Sequence, residues 1–176
     1  MKDRYEFSNI QYLTDRSIFV DANVLIYLFW STGASWEGNY ASAFAQLLKQ
    51  KNKLFVDFLV ISEVVNRAFK TVYETHKSKN ISLKYKQFRD STDGRQTLSD
   101  IYSVVKNQVL SQFHITGKSF PKTEIQHFLS VDNLDFLDKG ILKICQDNNF
   151  VLLTNDKDFK DADVDVLTCN PTILRP

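Results

Sequence analysis

The sequence predicts an α/β sandwich built around a parallel sheet. Three observations carry this prediction. Short apolar runs of strand character recur along the chain, and longer segments of helical period separate them. Turn formers are also scarce: Gly 5 and Pro 3 are under half of ordinary usage in 176 residues, and a turn-rich all-β sandwich needs more. At roughly 150 residues per domain, the length argues a single domain over 1–176, carrying a helical insertion at about 74–130.

The elements follow in order. Ile18-Phe19-Val20 is a short apolar run that reads as a buried strand, and Asn23 can cap a helix beginning at Val24. Tyr40 to Gln50 fits a second helix, and Leu54-Phe55-Val56 reads as another strand. Ser62 then stands where a cap is wanted, with Val64 to Val72 continuing as helix. Leu98, Ile101, Tyr102, Val105, Val109 and Phe113 recur at three and four residues, the spacing of an amphipathic helix. Lys122 to Leu129 follows Pro121 as a short helix. Leu134 to Asn148 is a helix with Leu137, Ile141, Ile144 and Cys145 on one side. Phe150 to Leu153 and Val164 to Leu167 supply two more strands.

Composition excludes several classes. Hydrophobic residues at 43% and charged residues at 24% describe a globular chain and exclude disorder, collagen and coiled-coil rods. The longest apolar run, Val24–Trp30, is far short of the ~20 residues that span a bilayer, so no membrane association is expected. The start, Met1-Lys2-Asp3-Arg4, lacks the apolar core of a signal peptide. Cys145 and Cys169 form no disulfide framework and suggest a reducing compartment, so a cytoplasmic location is expected. The net charge of +1 hides segregation. Residues 64–89 hold seven bases against Glu74, a balance of +6, while 132–165 hold nine aspartates against four lysines, a balance of −5. One reading is two solvated faces. The sharper one is a basic surface for an anionic polymer beside an acidic cation site.

Four acids stand in apolar company. Asp21 follows the first strand, Glu63 lies between Leu59-Val60-Ile61 and Val64-Val65, Asp138 lies beside Leu137 and Ile141, and Asp156 comes just after the third strand. A buried unpaired carboxylate costs several kcal/mol or takes up a proton. Each has a local explanation: a helix cap, a dipole contact, a lysine partner, a turn. Together they favour convergence, because strand C-termini and the following helix starts share one edge of a parallel sheet. Asp135 and Asp138, at i and i+3, share a helical face. Convergent like charges repel, and a hard divalent cation relieves them. With no zinc-type spacing among His76, His114 and His127, the cluster favours Mg²⁺ or Mn²⁺.

At these residues the sequence resembles the PIN domain family, the nuclease fold of the VapC toxins. Ile18-Phe19-Val20-Asp21-Ala22-Asn23-Val24 resembles its first motif, Asp-x-Asn after a hydrophobic strand. Ile61-Ser62-Glu63 resembles its second, and Asp138, sixteen residues before Thr154, its third acid. Thr154-Asn155-Asp156-Lys157-Asp158-Phe159 resembles its closing Thr-x-Asp-x-Asp-Phe segment. The likeness runs in order from about Ile18 to Leu167. The chain departs from it in its greater length, mainly through 74–130, and in offering Asp135 beside Asp138 and Asp158 beside Asp156.

The resemblance implies a three-layer α/β/α sandwich with a mostly parallel sheet of four to five strands. It also implies metal-dependent hydrolysis of single-stranded RNA by a toxin that a small antitoxin silences, and a homodimer. Asp21, Glu63, Asp138 and Asp156 would hold Mg²⁺ or Mn²⁺, with Asp135 and Asp158 as further candidate ligands. Asn23 would orient a water or a carboxylate, or cap its helix. Thr154 would bond a metal-bound water or close a turn. Arg67 and Lys70 are candidate RNA phosphate contacts beyond Glu63, or simply solvated. Tyr73, Tyr85 and Phe88 interleave the bases and could stack on unpaired RNA bases or pack in the core. Trp30, Trp36 and Tyr40 could form an aromatic antitoxin interface. Two rival readings stand beside this one. A haloacid dehalogenase-type phosphatase also starts with Asp after a strand, but it needs a second Asp where Asn23 stands. A PIN-like module could also bind RNA or protein without cutting.

Overall fold

The computed structural model describes residues 2–175, so Met1 and Pro176 lie outside the described residues. Its centre is a six-stranded, wholly parallel sheet in the order β1-β6-β5-β2-β3-β4, flanked by helices. The strands are β1 (Arg4–Tyr5), β2 (Ser17–Val20), β3 (Lys53–Val56), β4 (His114–Ile115), β5 (Val151–Leu153) and β6 (Val166–Leu167). The apolar runs expected to be strands form the four central ones. Ile18, Phe19 and Val20 of β2 pair with Val151, Leu152 and Leu153 of β5, and all six are fully buried. The sheet extends beyond the expected four to five strands because two-residue segments add an edge on each side. β1 carries no apolar run and is held by β6, and β4 lies inside the region expected to be purely helical.

Between β2 and β3 lie α1 (Ala22–Phe29) and α2 (Glu37–Lys49). After β3 come α3 (Phe58–Lys79), α4 (Tyr85–Asp90), α5 (Thr92–Val104) and, through a π-helical turn at Val105–Val109, α6 (Leu110–Gln112). α7 (Lys122–Phe128) and α8 (Phe136–Asn148) lead into β5, and α9 (Pro171–Leu174) closes the chain. The chain steps from β2 through β3 to β4 in one direction across the sheet, then returns to β5 and β6 on the other side of β2. The direction therefore reverses between β2 and β5, where open parallel sheets leave a crevice at the strand C-termini.

Two expected caps move. Asp21, not Asn23, caps α1, and its carboxylate accepts from the Ala22 N–H at 2.6 Å, so the helix begins at Ala22. Asp57, not Ser62, caps α3 by accepting from the Val60 N–H at 2.8 Å. α3 therefore starts five residues before Glu63, which lies in its second turn rather than at its start. The expected helix of 98–113 is realised as α5, the π turn and α6. Phe113 at its end stacks on Phe44 of α2, with ring centroids 5.6 Å apart.

The 74–130 region is bound to the core by an aromatic cluster. Phe88 of α4 meets Phe69, Tyr73 and His76 of α3, with centroids 5.4, 6.0 and 4.7 Å away. α4 and α5 approach so closely at Gly94 that an added Cβ would lie 1.9 Å from the Phe88 carbonyl oxygen. Tyr73 and Phe88 are buried in this cluster, which corrects their reading as stacking platforms for RNA bases, and only Tyr85 stays exposed. No described helix is long and apolar enough to cross a membrane.

Candidate active site

One polar residue follows each central strand, and all four are buried: Asp21 after β2, Asp57 after β3, Thr154 after β5 and Thr168 after β6. They line the sheet edge at which the strands end. Asp57 and Thr168 were not singled out from the sequence. A polar residue directly after a buried apolar run is the signal that would have found them.

At the reversal point the Asp21 carboxylate is the hub. One oxygen accepts from Ala22 N. The other accepts from Asn23 Nδ2 at 2.7 Å and from the Thr154 hydroxyl at 2.6 Å. Thr154 Oγ1 in turn accepts from the Asp156 N–H at 2.9 Å, which fixes the start of the Asp156 loop. Asn23 is thus a partner of the carboxylate within α1. Because its amide carries no titratable proton, the acid–base role a phosphatase needs at this position is missing.

Asp156 caps a short 3₁₀ turn at Lys157–Asp161, accepting from the Asp158 N–H at 3.0 Å. The Asp158 carboxylate is exposed. Asp135 caps α8, accepting from the Asp138 N–H at 2.9 Å, which leaves Asp138 on the first turn of that helix. The Asp138 carboxylate accepts no hydrogen bond from any described residue. Glu63 approaches from α3 and is ion-paired to Arg67 at 3.1 Å. One guanidinium nitrogen of Arg67 is therefore engaged with an acid.

The electrostatics show the acids facing one another. Burial, then the charges of Asp135, Asp21, Asp156 and Glu63, push the Asp138 carboxyl up to about 7. Burial raises Asp21 to about 6; the Thr154 hydrogen bond opposes this, and Glu63 and Asp156 add to it. Asp21, Glu63, Asp138, Asp156 and Asp135 thus lie within mutual electrostatic reach. Among the described residues, no three His, Cys, Asp or Glu side chains close into a ready-made ligand set. The donors are nonetheless all hard oxygens in repulsive company. Mg²⁺ asks for one or two carboxylates and keeps its waters, so the donor set fits such an ion better than zinc.

A groove of about 320 Å³ runs from Glu63 between α3 and α8, over Leu59, Asn66 and Leu137 to Arg67 and Lys70. A second hollow, of about 600 Å³, continues along α3 past Thr71 and Thr75. Lys70 is exposed at the junction of the two. Of the aromatic residues read as an antitoxin interface, Trp30 is half-buried and Trp36 exposed. Tyr40 is fully buried, its hydroxyl spent on hydrogen bonds inside the protein, so it presents no surface.

A PIN domain family model matches residues 18–165. No curated protein matches the chain. Among solved structures, VapBC2 from Rickettsia felis bound to a DNA fragment from their promoter superposes with a TM-score of 0.50 at 15% identity, covering 86% of this chain and 97% of that one. FitAcB from Neisseria gonorrhoeae gives 0.56 at 13% identity, covering 85% and 96%. PAE2754 from Pyrobaculum aerophilum gives 0.52 at 18% identity, covering 92% and 89%. At these identities the likeness is one of fold.

Proposed function

This chain belongs to the PIN domain family, and on that premise we propose that it is a divalent-metal-dependent endoribonuclease acting on single-stranded RNA, the toxin of a toxin–antitoxin pair. The observation that carries the nuclease reading is the convergence of Asp21, Glu63, Asp138 and Asp156 at the sheet edge, where burial and then repulsion by the neighbouring carboxylates lift Asp138 to about 7. That repulsion is the expected state of an acid site built to meet a cation.

Asp21, Asp138, Asp156 and Glu63 would hold Mg²⁺ or Mn²⁺, directly or through waters, with Asp135 and Asp158 at the margin. The bound ion would lower the pKa of a water and offset charge developing on the phosphate. The chain's own residues do the positioning. Asn23 and Thr154 donate to one Asp21 oxygen and fix the carboxylate's rotation. Glu63 and Arg67 hold each other at the mouth of the groove. Lys70 and Arg67 would meet the phosphates of a strand lying along α3, and counter-ion release makes such contacts salt-dependent.

The toxin reading rests on the resemblance to VapC toxins and on neighbours named VapBC2 and FitAcB. It implies a cognate antitoxin, and a homodimer by the same likeness. The test is cleavage of unstructured RNA by purified protein with Mn²⁺ or Mg²⁺. Activity should disappear with chelator and fall at least a hundredfold in Asp21→Ala and in Asp138→Ala. Undiminished cleavage by both variants would sink the site assignment. RNA binding without any cleavage by the wild type would favour a non-cutting module.

A further inference from the structure

Asn155 stands between Thr154 and Asp156, and all four of its hydrogen-bonding groups are committed. Its N–H donates to Asn23 Oδ1 at 3.2 Å. Its carbonyl accepts from Asn170 Nδ2 at 2.7 Å. Its side-chain Nδ2 donates to the Tyr27 hydroxyl at 3.1 Å, and its Oδ1 lies 3.0 Å from the Tyr40 hydroxyl. Tyr27 and Tyr40 come from α1 and α2, and Asn170 precedes α9. The residue is therefore held from three elements, each remote from it in sequence.

Tyr40 is the deepest of these partners, with 0% of its surface exposed. Its hydroxyl is also 3.0 Å from the Thr154 carbonyl and 3.1 Å from Thr168 Oγ1. Thr168 Oγ1 already accepts from the Asn170 N–H, so its own proton is free to go to Tyr40. The Tyr40 proton is then shared between Thr154 O and Asn155 Oδ1. A buried hydroxyl carrying this pattern ties the Thr154 carbonyl and the Asn155 side chain to α2. Supporting groups of this kind, one layer behind a metal site, are worth about 10–100-fold in metal affinity or activity.

From this geometry we propose that Asn155, anchored by Tyr40, is a positioning residue. Together they set the turn that brings the Thr154 hydroxyl onto Asp21 and aims Asp156 into the acid site. Neither touches the reacting atoms, and the inference rests on the metal-dependent nuclease reading above. Its structural half is testable without metal or RNA.

The experiment compares wild type with Tyr40→Phe, Asn155→Ala and the double variant. The first readout is hydrogen exchange at the Asp156 amide, which is closed by Thr154 Oγ1. It should accelerate in both single variants while the Leu152 and Leu153 amides of β5 keep their protection. Unchanged Asp156 exchange overturns the proposal. The second readout is Mn²⁺ affinity by calorimetry, alongside kcat and KM on unstructured RNA. Mn²⁺ binding should weaken about tenfold or more and kcat should fall, with KM little changed. The double variant should lose less than the two single losses combined, because the two residues share one bond. Lower thermal stability with wild-type Mn²⁺ affinity and kcat would reduce both residues to packing and overturn the proposal. If the wild type neither binds Mn²⁺ nor cleaves RNA, the nuclease reading fails, and the exchange result alone decides whether Tyr40 and Asn155 set the turn.

Discussion

Asp138→Asn should make the metal-free protein more stable at alkaline pH. In the fold, this carboxyl titrates at about 7 because of its burial and the charges of Asp135, Asp21, Asp156 and Glu63. In an unfolded chain it titrates near 3.9, and a difference of about three units corresponds to a ceiling of roughly 4 kcal/mol. The group is only half-buried, so solvent screening reduces the usable figure to about 1–2 kcal/mol. Its place on the first turn of α8 favours the carboxylate by about 0.3–1 kcal/mol, which is the smaller effect. Because the folded value lies above the unfolded one, the native state holds the extra proton between about pH 4 and pH 7. Stability conferred by that proton is lost as pH rises through this window, and the full penalty stands above it. Asn cannot ionise and escapes the penalty.

The melting midpoint of the variant in chelator at pH 8 should therefore exceed that of wild type by roughly 2–8 °C. The gap should close as pH falls toward 4. Mn²⁺ at a hundred times its dissociation constant should add about 2.7 kcal/mol to the wild type and much less to the variant, inverting the order. Differential scanning fluorimetry across pH, with and without Mn²⁺, reads all of this. A variant less stable than wild type by the same margin at pH 8 and pH 4.5 would show that Asp138 is an ordinary helix residue and that the acids do not strain one another.

Two further outcomes test the frame that carries the site. Gly94→Ala should destabilise by more than about 2 kcal/mol, since its Cβ would lie 1.9 Å from the Phe88 carbonyl oxygen and must part α4 from α5; urea unfolding measures it, and a change under 0.5 kcal/mol would mean the two helices move apart freely. Lys139 is buried, donates to the carbonyls of Phe128 (3.2 Å) and Ser130 (2.5 Å), and pairs with Asp132 at 2.9 Å. Lys139→Met should cost about 1–3 kcal/mol by orphaning those acceptors, and limited proteolysis should then cut between residues 129 and 133 faster than in wild type.

The central sheet was legible because its strands are short apolar runs between helical segments, as at Ile18–Val20 and Val151–Leu153. β1 was not, since Arg4–Tyr5 has no apolar signal and owes its strand conformation to β6. α3 was misread at its start because Ser62 also stands where a cap is wanted, just before the helical run of Val64 to Val72. Asp57, extended and capping, starts the helix earlier, so that Leu59-Val60-Ile61 lies in its first turns. The acids of the candidate site were legible as carboxylates beside buried elements. Asn23 and Thr154, which donate to Asp21, were legible beside them, but the layer behind those two was not. Tyr40 meets Thr154 and Asn155 across more than a hundred residues of chain, a proximity that only the folded sheet creates. Burial likewise decided against Tyr73 and Phe88 as RNA contacts: a basic stretch says where aromatics lie in sequence, not which way they face.

The bond between Thr154 and Asp21 closes a span of 133 residues. During synthesis at about 5–20 residues per second, Asp21 waits on the order of ten seconds for its partner strand to leave the ribosome. Until β5 enters the sheet, Asp21 has neither Thr154 nor Asp156 beside it. On the proposed nuclease reading, a nascent chain therefore lacks an assembled acid site until β5 has been made. A permutant opened between α7 and α8 would make Thr154 first and Asp21 roughly 43 residues later, cutting the wait about threefold at the same synthesis rate.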